Sequence, residues 1–418
     1  MGKEKGIGVG LDIGSTKICC IIAEHDDRDH EMKLLGSGLS PSRGVKKGIV
    51  VNIEQTIESI EKAVQSAEKM ANIKVNHAFV GISGEHIRGI NTQGAIAVSK
   101  NGHHLSTVHE ISNADINRVL EMAKAVSLPM DRDILHILPQ EYVVDDQGGI
   151  KDPSGMVGRR LEAKVHLITG TLSAAKNIKK CVEEAGLSVD AMIYQPLASS
   201  AATLEYHEKE LGVVLVDIGG GTTDVSVFFD GAVRHSAVIS LGGCNITNDI
   251  AMMLQISIDD AEEIKLKYGS AKASMASTDL EFELPYGVGE TARRVSEHEV
   301  SRYVEARMTE IFQMVKREAS RADTQNPMNF GIVLTGGGAL LRNIVSLAEE
   351  ILGGPVKIGI PKGVSSVVDV TSSPIYSTAI GLIQYRSSIV REINLGDEVE
   401  PVVSTAVRRV KDWFSELF

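Results

Sequence analysis

Two stretches decide the fold: Asp12-Ile13-Gly14-Ser15-Thr16-Lys17 and Asp217-Ile218-Gly219-Gly220-Gly221-Thr222-Thr223-Asp224. Each follows a short apolar run, Ile7 to Leu11 and Val213 to Val216, of the kind that forms a buried strand. A second run comes after each turn, Ile18 to Ala23 and Val225 to Phe229, and then a third. The unit strand–DIG turn–strand–turn–strand thus occurs twice, which is duplication at the scale of a domain. In both copies an acidic residue ends a strand and small residues follow. Small residues let backbone N–H groups approach a phosphate. Gly14, Ser15, Thr16 and Lys17 in the first turn, and Gly219, Gly220, Gly221, Thr222 and Thr223 in the second, are the candidate phosphate contacts. Asp12 and Asp217 suit Mg2+ held through water, because hard cations take oxygen ligands. A glycine hairpin accounts for either copy alone; two copies at matching places favour a phosphate site.

Outward from these turns, Asn52 caps a helical run through Ile57, Ile60, Val64, Ala67 and Met70, with Gln55 returning the bond. Val75 to Ile82 reads as a strand. Residues 85–162 read as an insertion with short strands near 94–98 and 142–144 and a helix capped near Ser112. Thr335-Gly336-Gly337-Gly338 follows a third buried run, Phe330 to Leu334, and opens a helix at Ala339. A backbone turn of that kind suits a phosphate or a nucleoside edge. It has neither the spacing of a P-loop nor that of a dinucleotide fold.

The composition is that of a folded chain of several domains: 418 residues, 43% apolar, 23% charged. With 43 Lys plus Arg against 55 Asp plus Glu, the net charge is −12, so nucleic acid is not an expected partner. No apolar run approaches the ~20 residues of a membrane span, and the start has no signal-peptide pattern. Cys19, Cys20, Cys181 and Cys244 form no C-x-x-C pair and read as buried, reduced, cytoplasmic thiols. His103, His104 and His109 read as a solvated loop, and Asp145, Asp146 and Asp152 as a turn.

Two phosphate turns and a late glycine turn resemble the actin, heat-shock chaperone and sugar-kinase superfamily, in which two similar α/β domains close on ATP. That resemblance implies ATP and Mg2+ as ligands, TGGG as the adenosine loop, and Glu262 and Lys265, on one helix face, as contacts to ribose or base. A solvated ion pair explains those two residues equally well. The run ILPQEYVVDDQGGIKDPSGMVGRRLEAKVHLITG, with VGISGEHI before it and SPIYSTAIGLIQY near the end, resembles the FtsA family of bacterial cell-division proteins over nearly the whole chain.

The family resemblance implies a division of the chain into an actin-like subdomain 1A (1–84 with 163–195 and 360–390), an inserted 1C (85–162), 2A (196–245 with 311–359) and 2B (246–310). A linker (391–403) and an amphipathic membrane helix (404–418) follow. It also implies tethering of the tubulin-like FtsZ to the cytoplasmic face of the membrane at the division site, actin-like self-assembly, and recruitment of later division proteins. For the FtsZ tail on 2B, Arg293, Arg294, Arg302 and Arg307 are the candidate contacts, since basic groups beside apolar ones suit an acidic amphipathic peptide.

The terminal segment supports the membrane reading independently. Val407, Val410, Trp413, Phe414, Leu417 and Phe418 fall on one helical face, and basic and polar residues on the other. Relatives of actin orient the attacking water with a Gln or Glu just after a first-domain strand. The stretch KVHLITGTLSAAK offers only Thr169, Gly170 and Thr171 there, so nucleotide is expected to serve assembly, with slow turnover at most. Asp224 or a side chain from elsewhere is the other candidate for that role. Two other readings compete: a small-molecule kinase or phosphatase of the same superfamily, which gives the terminal helix no role, and a pilus-assembly scaffold, which would bind an envelope-protein peptide.

Overall fold

The computed structural model describes residues 6–25, 32–98, 108–284, 293–322, 331–365 and 372–394. The terminal face from Val407 to Phe418 and two of the histidines, His103 and His104, lie outside them. The first half opens with β1 (Gly6–Ile13), β2 (Lys17–His25) and β3 (Met32–Pro41), an antiparallel meander. The small hairpin β4 (Val45–Lys46) and β5 (Ile49–Val50) leads into α1 (Ile53–Ala71). Asn52 caps α1 by accepting the Gln55 N–H at 3.1 Å. β6 (His77–Ile82) then returns parallel to β1.

Next comes the insertion: β7 (Arg88–Ala97), β8 (His109–Glu110), α2 (Asn113–Lys124), β9 (Arg132–Val144), β10 (Gln147–Ile150), β11 (Val157–Gly158) and β12 (Arg160–Thr171). Ser112 and Asp115 close a full capping box on α2. β7 and β9 are much longer than the short strands expected at 94–98 and 142–144, because both pair along β12, which has strand partners on its two sides. The sheet order β10-β9-β12-β7 carries the insertion's own core, with Leu161, Val165 and Leu167 fully buried. β12 is one strand, so the insertion's sheet runs on to Thr171 rather than stopping at 162.

α3 (Leu172–Glu184) and β13 (Ser188–Tyr194) complete the first-half sheet, with β13 parallel to β6. α4 (Gln195–Thr203) and α5 (Tyr206–Leu211) carry the chain across to the second half. There the meander repeats as β14 (Val213–Ile218), β15 (Thr223–Phe229) and β16 (Ala232–Ile239). Asp230 and Gly231 both have positive φ, as a two-residue hairpin needs.

The outer block has α6 (Gly243–Leu254), α7 (Ile258–Tyr268), the pair β17 (Glu281–Glu283) and β18 (Arg294–Ser296), and α8 (Glu297–Ala319). α8 is a single 23-residue helix, so the 310 boundary falls within it. β19 (Ile332–Thr335), α9 (Ile344–Leu352) and β20 (Val356–Ile358) finish the second sheet in the order β16-β15-β14-β19-β20. The first-half order, β13-β6-β1-β2-β3, is its counterpart, extended by β21 (Val364–Ser365). A meander followed by two parallel strands therefore occurs twice, as the repeated motif requires.

α10 (Ser377–Asn394) returns to the first half and lies beside α4. It extends four residues into the segment read as a linker. Cys19, Cys20 and Cys181 are buried, whereas Cys244, at the start of α6, is only half-buried. Among the described residues no helix is long and apolar enough to cross a membrane.

Candidate nucleotide site

The two DIG turns have the same backbone. Gly14 N–H donates to the Lys17 carbonyl at 3.0 Å, and Gly219 N–H to the Thr222 carbonyl at 2.9 Å. They face one another across the halves. A Cβ on Gly220 would lie 2.3 Å from the Thr16 methyl, and one on Gly221 2.6 Å from the Ser15 hydroxyl. Glycine at these positions is required by close approach of the first turn. Ser15 is anchored in turn by accepting the Gly48 N–H at 3.1 Å.

The remaining segments converge on the second turn. Gly336 has φ +81 and sits where a Cβ would lie 2.3 Å from the Asp217 carboxylate, while Gly338 lies against Ile218. TGGG thus reaches the site, but it opens a short 3-10 turn, Gly337–Leu340, and the regular helix α9 starts only at Ile344. Glycine at helical positions and the left-handed Asn343 delay it. Gly243 and Cys244 N–H groups donate to the Gly219 and Gly220 carbonyls at 2.9 and 2.8 Å, docking the N-terminus of α6 on the turn. Lys265, buried, donates to Glu262 at 2.6 Å, to Thr247 at 2.9 Å and to the Gly243 carbonyl at 3.3 Å. Glu262 and Lys265 therefore reach the second turn through α6. The Gly242-Gly243 pair just before a helix was the sequence signal for this element.

Three acids lie within electrostatic reach of one another. Asp12, nearly buried, accepts from Lys17 Nζ at 3.0 Å and from Gln195 Nε2 at 2.9 Å. Burial pulls the Lys17 ammonium towards losing its proton, but the charge and hydrogen bond of Asp12, with Cys19 and Asp217, together outweigh it and hold Lys17 protonated, well above its ordinary range. Asp217 accepts from Ser199 on α4 at 2.7 Å and from Thr378 on α10 at 3.4 Å. Burial raises its pKa, and those hydroxyls together with Lys17 oppose the rise. Asp224 accepts from Ser83, and burial pushes its carboxyl up to about 8, with Asp217 and Asp12 adding repulsion. The donor set is entirely oxygen, as a hard cation prefers. Among the described residues no three His, Cys, Asp or Glu side chains come close enough to ligate one metal ion directly. A cation here would be held through water.

One expectation is overturned. The stretch around Thr169, Gly170 and Thr171 belongs to β12, which pairs with β7 and β9 in the insertion's sheet and not with the first-half sheet. The strand that ends at the cleft before the crossing to the second half is β13, and Gln195 follows it with its amide on Asp12. With Gln195 present, a missing glutamine no longer argues for slow turnover. Both strands are apolar and β-branched, and only their pairing tells them apart.

Of the four arginines of the outer block, Arg293 and Arg302 both act on Tyr303 and Arg307 lines a groove with it, whereas Arg294 lies apart. Arg307 makes a bidentate pair with Asp249, at 2.6 and 2.8 Å, and also contacts Glu310. It lines a groove of about 300 Å³ with Asp249, Met252, Met253, Tyr303, Ala306 and Glu310. Arg302 is exposed next to Tyr303. Arg293 lies 3.8 Å from Glu299, and Arg294 lies 3.3 Å from Glu283 across the β17–β18 pair. Met252 and Met253, 77% and 55% exposed, are the apolar surface that basic residues alone did not reveal.

Comparison with known proteins narrows the family. Residues 214–381 match the model of cell division protein FtsA, and residues 84–169 that of the SHS2 domain inserted in it. The chain is 45% identical over 377 residues to cell division protein FtsA of Pseudomonas aeruginosa, covering 90% of this chain and 88% of the relative. It is 35% identical over 424 residues to that of Escherichia coli, covering 99% of both. Among solved structures, the PilM–PilN type IV pilus biogenesis complex aligns with a TM-score of 0.65 at 15% identity, covering 92% of this chain and 99% of that one. MreB5 of Spiroplasma citri bound to AMPPNP aligns at 0.55 and 15% identity, covering 94% and 100%. These distant likenesses establish an actin-like fold, and the identities to curated relatives settle the rest: the chain belongs to the FtsA family of bacterial cell-division proteins.

Proposed function

We propose that this chain is a nucleotide-dependent adaptor that holds FtsZ at the membrane. The observation that carries the reading is the convergence of both DIG turns, TGGG and the α6 N-terminus on one cleft, in a chain of the FtsA family. ATP binds there with its phosphates between the turns; MreB5, which shares the fold, is bound to AMPPNP. Backbone N–H groups and the hydroxyls of Ser15, Thr16 and Thr222 meet the phosphate oxygens, with Lys17 as the cation, while the buried Thr223 hydroxyl is spent on the Leu241 carbonyl at 2.9 Å. Asp12 and Asp217 would hold Mg2+ through water, and it would neutralise phosphate charge there. Gln195 is placed to orient a water. Glu262 and Lys265 face the nucleoside side, with Gly336, Gly337 and Gly338 beneath the adenosine.

The FtsZ tail docks on the groove between α6 and α8. Met252, Met253 and Tyr303 grip its apolar side chains, and Arg302 meets its acidic ones. Arg307, with donors committed to Asp249 and Glu310, shapes the wall. Arg293, beside Glu299 and Tyr303, adds a second basic group, and Arg294, held by Glu283, matters less. Arg302→Glu lowers the affinity for an FtsZ tail peptide by about tenfold; an unchanged affinity by fluorescence anisotropy moves the site elsewhere.

The segment 404–418 lies in the bilayer interface on the cytoplasmic face at the division site, and self-assembly adds avidity to a weak anchor. Later division proteins join the assembled form. Vesicle flotation of the full chain and of a chain ending at Pro401, both with Mg-ATP, tests this. Flotation of the full chain alone, strengthened by anionic lipid, is the expected result. If neither floats, the terminal segment is no anchor.

A further inference from the structure

β16 is the edge strand of the second-half sheet, and the insertion covers it. At its bulge, where Arg234 has no cross-strand partner, two side chains of the insertion take backbone carbonyls. Asn91 Nδ2 donates to the Arg234 carbonyl at 3.0 Å, and Gln140 Nε2 to that of Val233 at 2.8 Å. Behind them His166, 1% exposed, lies with Nε2 2.7 Å from the Ser236 hydroxyl and Nδ1 2.5 Å from Asn91 Oδ1. Gly89 makes the fit possible, since a Cβ there would lie 2.4 Å from that hydroxyl. A third contact runs from Lys151 to both carboxylate oxygens of Glu210 on α5, at 2.7 and 2.8 Å.

The insertion enters after β6 and leaves into α3, so its covalent attachments are both to the first half. Its grip on β16 therefore bridges the two halves. The same insertion also holds the crossing point, because His136 Nε2 accepts the Tyr194 N–H at 2.9 Å, one residue before Gln195. β16 is paired with β15 from Thr223 and Asp224 onward. The Tyr194 end of the grip is one residue from Gln195, and the β16 end lies opposite Ser226 and Phe228, on the strand that carries Asp224. Two of the contacts run from side chain to backbone, and the buried Tyr194 hydroxyl lies beside those of Ser226 and Ser236, while Val233 also packs in one apolar cluster with Ile168 of the insertion. A seam that is partly polar opens and recloses at less cost than a wholly apolar core.

We propose that the insertion is a strap across the cleft, whose hold on β16 and on Tyr194 slows nucleotide release and passes the state of the cleft to the insertion. This rests on the reading that nucleotide binds between the halves. Coupling of this kind acts both ways: whatever displaces the insertion loosens the nucleotide, and nucleotide tightens the strap.

The test uses the full chain with mant-ATP and Mg2+, chased by unlabelled ATP, alongside hydrogen exchange of β16. Asn91→Asp with Gln140→Ala removes the two surface donors and keeps an oxygen beside the buried His166. Release speeds by about fivefold or more, and the amides of 232–239 exchange faster. Lys151→Glu speeds release in the same direction, and adding Glu210→Lys restores it, which a loss of packing would not show. Release within twofold of the parent overturns the strap, and so does β16 exchange that the double variant leaves unchanged. If the parent binds no mant-ATP, the nucleotide reading fails and the proposed control of release falls with it; faster β16 exchange in the double variant would then still establish the bridge itself.

Discussion

The two DIG turns share a backbone and differ in how they manage charge. The first brings its own cation: Lys17 sits on Asp12, five residues away. The second has glycine where the first has Ser15 and Thr16, and its acid borrows hydroxyls from Ser199 and Thr378 on the crossing helices. It also carries Asp224, whose counterpart across from Asp12 is the apolar Cys19. Duplication preserved the hydrogen-bonded frame, which depends on strand geometry. The side chains diverged until each turn fitted the other. The first turn is a charged knob, and the second is a thin socket with a buried acid.

The sharpest way to break that comparison is to give the socket a side chain. Gly220→Val drives a branched side chain into Thr16 and is expected to cost about 3 kcal/mol, whereas Gly14→Ala, whose Cβ meets only the Lys17 carbonyl at 2.9 Å, costs about 1 kcal/mol. Urea midpoints of the two variants measure the difference, and equal midpoints would mean the turns are not pressed together in solution.

Removing the knob's charge comes next. Lys17→Ala leaves Asp12 nearly buried without its ammonium; because Lys17 is partly exposed, about 2 kcal/mol is expected rather than the full cost of orphaning a buried ion. Ser199→Ala leaves Asp217 with Thr378 and costs about 1 kcal/mol. A larger loss in Ser199→Ala than in Lys17→Ala would reverse the assignment of which turn is self-sufficient.

The third effect is one of pH. In the unfolded chain Asp224 ionises near its ordinary value, whereas in the fold it keeps its proton up to about 8. The folded state therefore binds more protons between these values, and stability falls as pH rises through that window and levels off above it. Asparagine cannot ionise. Asp224→Asn should match the parent near pH 4 and exceed it by more than about 1 kcal/mol at pH 8. Thermal melts across that range decide it, and a gap that does not widen would place the ionised acid in the fold. The first turn has no equivalent, and Cys19→Ser should leave the pH profile unchanged.

Local signals were legible in the chain itself. Both DIG turns and the Asn52 and Ser112 caps stand where spacing puts them, because each depends on residues within a few positions. The extent of the insertion was not legible. β12 and β13 have the same apolar character, and only the register of β12 with β7 and β9 assigns it to the insertion. That error hid Gln195. Arginines marked the outer block, but the groove is floored by methionines of α6 that meet α8 only through packing.

What the amino-acid sequence determined by itself was the duplication, the phosphate-turn chemistry and the family, since these reside in contiguous motifs. Tertiary structure alone decided which acid borrows which hydroxyl, where the crossing strand ends, and that the insertion reaches over to β16. Most of those outcomes join residues distant in sequence, 183 positions for Gln195 with Asp12 and 143 for Asn91 with Arg234, and no local preference of either residue encodes its partner.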